Sequence, residues 1–223
     1  MYQSSANGLR KQIAGISLIA APLLMLACDI ANRAGLGAHF VTLMKLSFVF
    51  FVGSILALVH LLRERTDGLG LVGGGMALIG CLSGSAIVTM YLWEWSFTTA
   101  GVDAATTQTV ENALRTTGVP MMVVMYPLPG LFFPLGLLIL SVGLLRARVV
   151  PAWAAALLAL GAILFPVGRI PRIWAASMAS DVALLVSLGA IGLRVLRWTT
   201  DEWLHVPAAR QETVVLESQP ANG

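Results

Sequence analysis

Charge is what this sequence has least of. Of its 223 residues only 11% are Asp, Glu, Lys or Arg, while 57% are hydrophobic, which leaves too little polar surface to cover a water-soluble domain of this size. Ligand-bearing residues are as scarce. The two cysteines, Cys28 and Cys81, lie inside apolar runs without the spacing of a metal site or a redox pair, and read as small buried hydrophobes. The three histidines are unpaired, and His60 reads as an imidazole at a membrane interface. There is no H-E-x-x-H, no G-x-S-x-G and no phosphate loop, so neither a metal nor a cofactor is expected. The formal charge of +3 comes mostly from arginines at the ends of apolar runs, which is a topology signal and not a nucleic-acid surface.

What is present is hydrocarbon in long unbroken stretches. A helix needs about 20 apolar residues to cross the ~30 Å core of a bilayer, and continuous runs favour helices over the alternating strands of a barrel. Six runs qualify: Gln12 to Asn32, His39 to Leu62, Leu69 to Trp93, Pro120 to Leu145, Val150 to Gly168 and Ile173 to Leu196. The expected fold is an all-α integral membrane bundle of six transmembrane helices. It spans residues 12–197, with an outer loop at 96–119, a short N-terminus at 1–11 and a polar, mostly disordered tail at 198–223.

Placing the N-terminus in the cytoplasm puts Arg10, Lys11, Arg63, Arg65, Arg146, Arg148, Arg194, Arg197 and Arg210 inside, and only Arg33, Arg115, Arg169 and Arg172 outside. That asymmetry favours both termini inside. Trp93, Trp95 and Trp174 then mark the outer interface, and Trp153, Trp198 and Trp203 the inner one.

Local signals refine the elements. Gly68, Gly70 and Gly73 match G-x-G-x-x-G, but no strand precedes them and a membrane-length run follows, so a dinucleotide site is excluded. Gly70 with Gly74, and Gly80 with Gly84, are instead small residues four apart. They suit close helix packing, a central place for the third helix, or a partner helix. Residues 103–115 should form a short amphipathic helix over the outer mouth. The fourth run carries Pro120, Pro127, Pro129 and Pro134 around Tyr126, so carbonyls such as those of Val123, Met125 and Gly130 should be left free to face a ligand or a hinge. Thr199 and Glu202 have the spacing of a capping box.

The ionisable residues inside the runs lie almost wholly in the outer half. A charge at the centre of a lipid-facing helix costs on the order of 3 kcal/mol, so Asp29, Lys45 and Asp181 should turn inward. They are expected to share a polar pocket with Tyr91, Glu94, Tyr126, Arg169 and Arg172. The alternative is that Lys45 extends to the headgroups and Glu94 clasps Arg169 at the surface. Such a pocket would bind or transport a small solute or lipid. An intramembrane acid–base enzyme would use Asp181, Asp29 or Glu94 as proton donor toward an isoprenoid-like substrate, and a non-catalytic subunit would offer Gly70, Gly74, Gly80 and Gly84 to a partner.

Three resemblances accompany this reading. Met25-Leu26-Ala27-Cys28 resembles the lipobox of bacterial lipoproteins, with Leu26 where a smaller or β-branched residue is usual; the resemblance implies a lipid on Cys28, against an ordinary first transmembrane helix. The hairpin from Leu144 through Arg146, Arg148 and Pro151 to Trp153 resembles small polytopic membrane proteins of bacteria, which implies a multi-pass protein of the cell membrane. In general build, small multi-helix terpene cyclases that use acidic residues are also similar.

Overall fold

Backbone amides and carbonyls in lipid must pair within their own segment, so continuous apolar runs become helices. The computed structural model describes residues 2–117 and 127–206. Every element there is helical: α1 (Tyr2–Arg33), α2 (Gly37–Leu62), α3 (Asp67–Thr99), α4 (Ala104–Thr117), α5 (Pro127–Ala147), α6 (Ala152–Arg169), α7 (Trp174–Arg197) and α8 (Thr200–Leu204). Five of them, α1, α2, α3, α6 and α7, are long and apolar enough to cross a membrane, and the apolar stretch Leu131–Ala147 of α5 supplies a shorter sixth. The chain is an all-α integral membrane protein.

Each long helix packs on the next in the chain. α1 meets α2, α2 meets α3, α3 meets α5, α5 meets α6 and α6 meets α7, while α7 returns to α1 and closes the ring. The centre is filled where α2 and α5 touch across it. There Phe133 of α5 stands edge-on to Phe51 at 5.1 Å and to Phe48 at 6.3 Å, and tilted against Phe165 of α6 at 5.1 Å. Edge-to-face pairs of this kind contribute about 0.5–1.5 kcal/mol each beyond their buried area.

Lipid tails give no hydrophobic drive between helices, so close approach and polar bonds must hold the seams. At the α1–α2 seam Ser47 Oγ donates to the Ala21 carbonyl and Ser54 Oγ to that of Ser17, both at 2.8 Å. Between α6 and α7, Ser180 Oγ donates to the Gly161 carbonyl at 2.8 Å and Ser187 Oγ to that of Ala154 at 2.6 Å. Cys81 Sγ reaches the Phe48 carbonyl at 3.2 Å between α3 and α2. Ser180 and Ser187 of α7 are therefore spent on the α6–α7 seam. Glycine does the same work by its small size: a Cβ on Gly80 would stand 2.2 Å from the Phe133 nitrogen, and one on Gly136 2.3 Å from that of Ala77.

The partner surface expected on α3 is corrected by these contacts. Gly70 faces Leu62, Gly74 faces Val59, Gly84 faces Phe48 and Gly80 faces Phe133, so all four glycines seat α2 or α5 of the same chain. Nor is α3 central, since it is one member of the ring and exposes Leu71, Val72, Ile79 and Leu82. In the fourth run Pro127 and Pro129 stand at the start of α5 as described, and Pro134 is interior to it. Pro120, Val123, Met125 and Tyr126 lie outside the described residues, as does the tail beyond 206.

The ends of the ring differ. At the end where α1 begins and α7 finishes, α8 folds back beneath the bundle through the expected capping box, in which Thr199 and Glu202 bond each other's backbone amides. Trp203 stacks on His60 at 3.9 Å. Arg63 can only donate, so its 3.3 Å contact makes His60 Nδ1 the acceptor, and Nε2–H then donates to the Trp203 carbonyl at 2.9 Å. Arg63 also donates to the Leu204 carbonyl, and Lys11 Nζ to that of Trp198 at 2.6 Å. At the distal end the connections are short turns, except where the long segment carrying α4 links α3 to α5. That helix is the amphipathic one expected over residues 103–115, capped by Asp103, whose carboxylate accepts from the Thr106 amide at 2.8 Å and its hydroxyl at 2.6 Å.

Candidate functional site

Two acidic side chains on helices that cross lipid need a cation, and ring closure decides which one they receive. Asp29 lies one turn before the end of α1, and Asp181 lies seven residues into α7, or about 10 Å from its start. Packing α7 on α1 brings both to the same height and side. Arg169, the last residue of α6, reaches between them: Nη1 donates to Asp29 Oδ1 at 3.1 Å and Nη2 to Asp181 Oδ1 at 2.8 Å. The side chains of Asp181, Asp29 and Arg169 are 0%, 8% and 18% exposed.

Local packing sets this geometry. A Cβ on Gly168 would stand 2.4 Å from the Ser177 nitrogen, so glycine there lets α7 lie against the end of α6 beside the arginine. Below, the guanidinium carbon sits 4.7 Å from the centre of the Phe165 ring, one turn earlier on the same helix face, an arrangement worth about 0.5–2 kcal/mol by cation–π attraction. The cluster thus rests on the aromatic plug that fills the middle of the ring. Cys28, fully buried on α1 next to Asp29, is close by; the sulfur that a lipid would modify is enclosed in this structure.

Satisfaction of the cluster is incomplete. Asp29 Oδ2, Asp181 Oδ2 and Arg169 Nε are all buried without a hydrogen-bond partner. The guanidinium spends one hydrogen bond on each carboxylate instead of gripping one carboxylate with two, as in the usual fork. With both carboxylates ionised, two negative groups face one positive group, and one negative charge is left over.

The other residues singled out from the sequence are placed as follows. Lys45 does not join the aspartates. It is exposed on α2, and its ammonium donates to the Ser85 carbonyl and to Thr89 Oγ1 of α3, each at 2.8 Å. The expected meeting of Lys45 with Asp29 and Asp181 is therefore corrected: Arg169 fills the place given to the lysine, because Lys45 lies about 200° around α2 from Ser47, which faces α1. Arg172 is exposed in the α6–α7 turn with its backbone in the left-handed region, φ 59°. Tyr91 and Glu94 belong to the distal part of α3, and Tyr126 is outside the described residues.

Phe165 and Cys28 were not singled out as site residues. Phe165 was legible, being four residues before Arg169 on one face of a helix. Among the described residues no group of three or more His, Cys, Asp or Glu side chains is arranged to hold a metal ion. Comparison with protein families, characterised proteins and solved structures brings no match.

Proposed function

We propose that this membrane protein binds a small polar solute, or the polar head of a lipid, at the Asp29–Arg169–Asp181 cluster, and carries it through the bilayer. One observation supports the reading above the rest: three buried polar atoms around a single guanidinium have no partner. Each such atom costs about 1–3 kcal/mol, and a cluster serving only to fasten helices gains by pairing all of its atoms. A ligand with hydrogen-bond donors for the two Oδ2 atoms and an acceptor for Arg169 Nε supplies what is missing. The excess negative charge selects a neutral or cationic group over an anion.

In this proposal the charge asymmetry of the loops puts the termini in the cytoplasm of a cell-membrane protein, and the cluster faces the opposite side. Tyr91, Glu94 and Arg172 are further candidates at the same end, and Tyr126, outside the described residues, stays a candidate on its sequence alone. Lys45 is excluded from the cluster, since Ser85 and Thr89 hold it elsewhere.

The test is mass spectrometry of small molecules released from wild type and from Asp181→Asn, both purified in mild detergent, followed by uptake of the identified compound into proteoliposomes. Wild type should carry a compound that the variant carries at a tenth or less, and should take it up. Identical profiles from the two proteins, with no uptake by either, would remove the proposal.

A further inference from the structure

The leftover charge identifies a ligand more specifically. Asp29 and Asp181 each use one oxygen on Arg169 and bury the other unpaired, so the two carboxyl groups flank a single guanidinium. Two carboxylates so placed repel, and in a medium of low dielectric one guanidinium balances only one of them. Among the described residues, the remaining titratable and cationic groups near this end do not supply the second positive charge. Cys28, from α1, is a thiol. Arg33 is exposed on α1 and lies over the Trp174 ring at 5.7 Å, and Arg172 is exposed in its turn. On α2, which packs against α1, His39 is exposed and Lys45 is held by Ser85 and Thr89; α6 contributes Arg169 to the pair.

A metal cation fits poorly. It needs several oxygens converging on it, whereas here two free oxygens stand beside a guanidinium that repels it. A proton needs only one oxygen to hold it and one to accept from it. We infer that the Asp29–Arg169–Asp181 cluster binds one exchangeable proton, taken up by the carboxyl groups of α1 and α7. The inference rests on reading the cluster as a ligand site. On loading, a proton from water adds to a carboxylate oxygen as an O–H bond; on release it returns to water, and nothing else is made or broken. The neutral, loaded cluster can cross a hydrophobic barrier during a conformational change at far lower cost than the charged one.

Charge arithmetic makes the test quantitative. Infrared spectra of the full-length protein in lipid, without solute, are recorded with and without ¹³C-labelled aspartate at a pH where exposed carboxyl groups are ionised. Wild type should show one protonated aspartic acid per chain. Asp29→Asn and Asp181→Asn should each show none, because one carboxylate then faces one guanidinium. Arg169→Gln should show two. The wild-type spectrum decides even where a variant fails to fold: an absence of any protonated aspartic acid overturns the inference. So does a rise in melting temperature specific to sodium over choline, which would make the ligand a metal cation. Because no solute is present, failure of the solute proposal leaves the proton count untouched, and solute binding by a protein whose two aspartates are both ionised would sink the proton alone.

Discussion

A single arginine carries the polar economy of the distal end. Asp29 sits in the last turn of α1, where the helix dipole opposes a negative charge, and Arg169 sits in the last turn of α6, where the dipole favours a positive one. The arginine therefore holds up an aspartate that its own helix disfavours. Arg169→Gln strands two buried carboxyl groups and should destabilise the protein by about 3–5 kcal/mol, whereas Asp181→Asn leaves a balanced Asp29–Arg169 pair and should cost clearly less. Unfolding in mixed detergent and denaturant ranks the variants; the opposite order would contradict the charge count. Asp103 gives a second prediction at this scale. Its hydrogen bonds to Thr106 hold its carboxyl below the ordinary carboxylate value. A depressed folded value means that its contribution to α4 is full above the unfolded value and is lost as pH falls through the folded one. The protection of the Thr106 amide, its exchange rate relative to that of an unstructured amide at the same pH, should fall on acidification in wild type, and in Asp103→Ala should be low at every pH.

At the scale of the element, the helices are specified more by where side chains are small than by where they are apolar. Gly80 and Gly75 lie on one helix, and the sequence treats them alike. In the structure a Cβ on Gly80 meets the backbone of Phe133 at 2.2 Å, while one on Gly75 meets nothing within 4 Å. Gly80→Ala should therefore cost about 1–3 kcal/mol by forcing α5 off α3, and Gly75→Ala should be neutral or gain up to about 1 kcal/mol from helix propensity. Thermal unfolding of the two variants beside wild type checks the contrast, which fails if both move the same way. The α6–α7 turn shows a related economy. Arg172 takes the left-handed position that Gly35 takes in the α1–α2 turn, with the Ile173 amide reaching back to the Gly168 carbonyl at 2.8 Å as the Leu36 amide does to that of Ala31 at 3.0 Å. A non-glycine residue there costs about 1–2 kcal/mol. Arg172→Gly should stabilise the fold by up to that amount in the same assay unless the side chain contributes a contact of its own.

At the scale of the whole molecule, the ring is closed at one end by α8 and filled in the middle by phenylalanines, which leaves the charged cluster at the distal end. In the proposed orientation, read from the loop arginines, that is the side away from the cytoplasm. A cysteine introduced at the exposed Ala105 of α4 should react with an impermeant maleimide in intact cells, and one at the exposed Glu64 only after permeabilisation; Cys28 and Cys81 are buried and should stay silent. The reverse pattern would invert the orientation and make the cluster face the cytoplasm.

Helix existence, approximate length and the depth of each charge followed from the sequence, because rise per residue converts position into height and unbroken apolar runs leave no alternative to a helix in lipid. The placement of Asp29, Lys45, Arg169 and Asp181 toward one end of the bundle was legible in that way, and so were the capping box and the amphipathic α4. Direction around each helix was not legible. Where a helix is apolar on nearly every face, as α3 and α5 are, nothing in the sequence distinguishes the side that meets protein from the side that meets lipid. Tertiary structure alone decided that α7 closes on α1, that Arg169 and not Lys45 reaches both aspartates, and that Gly70, Gly74, Gly80 and Gly84 of α3 are spent inside the chain. Those choices rest on sub-ångström fit between particular small residues and neighbouring backbone, a property of pairs of helices that no single helix carries in its own sequence.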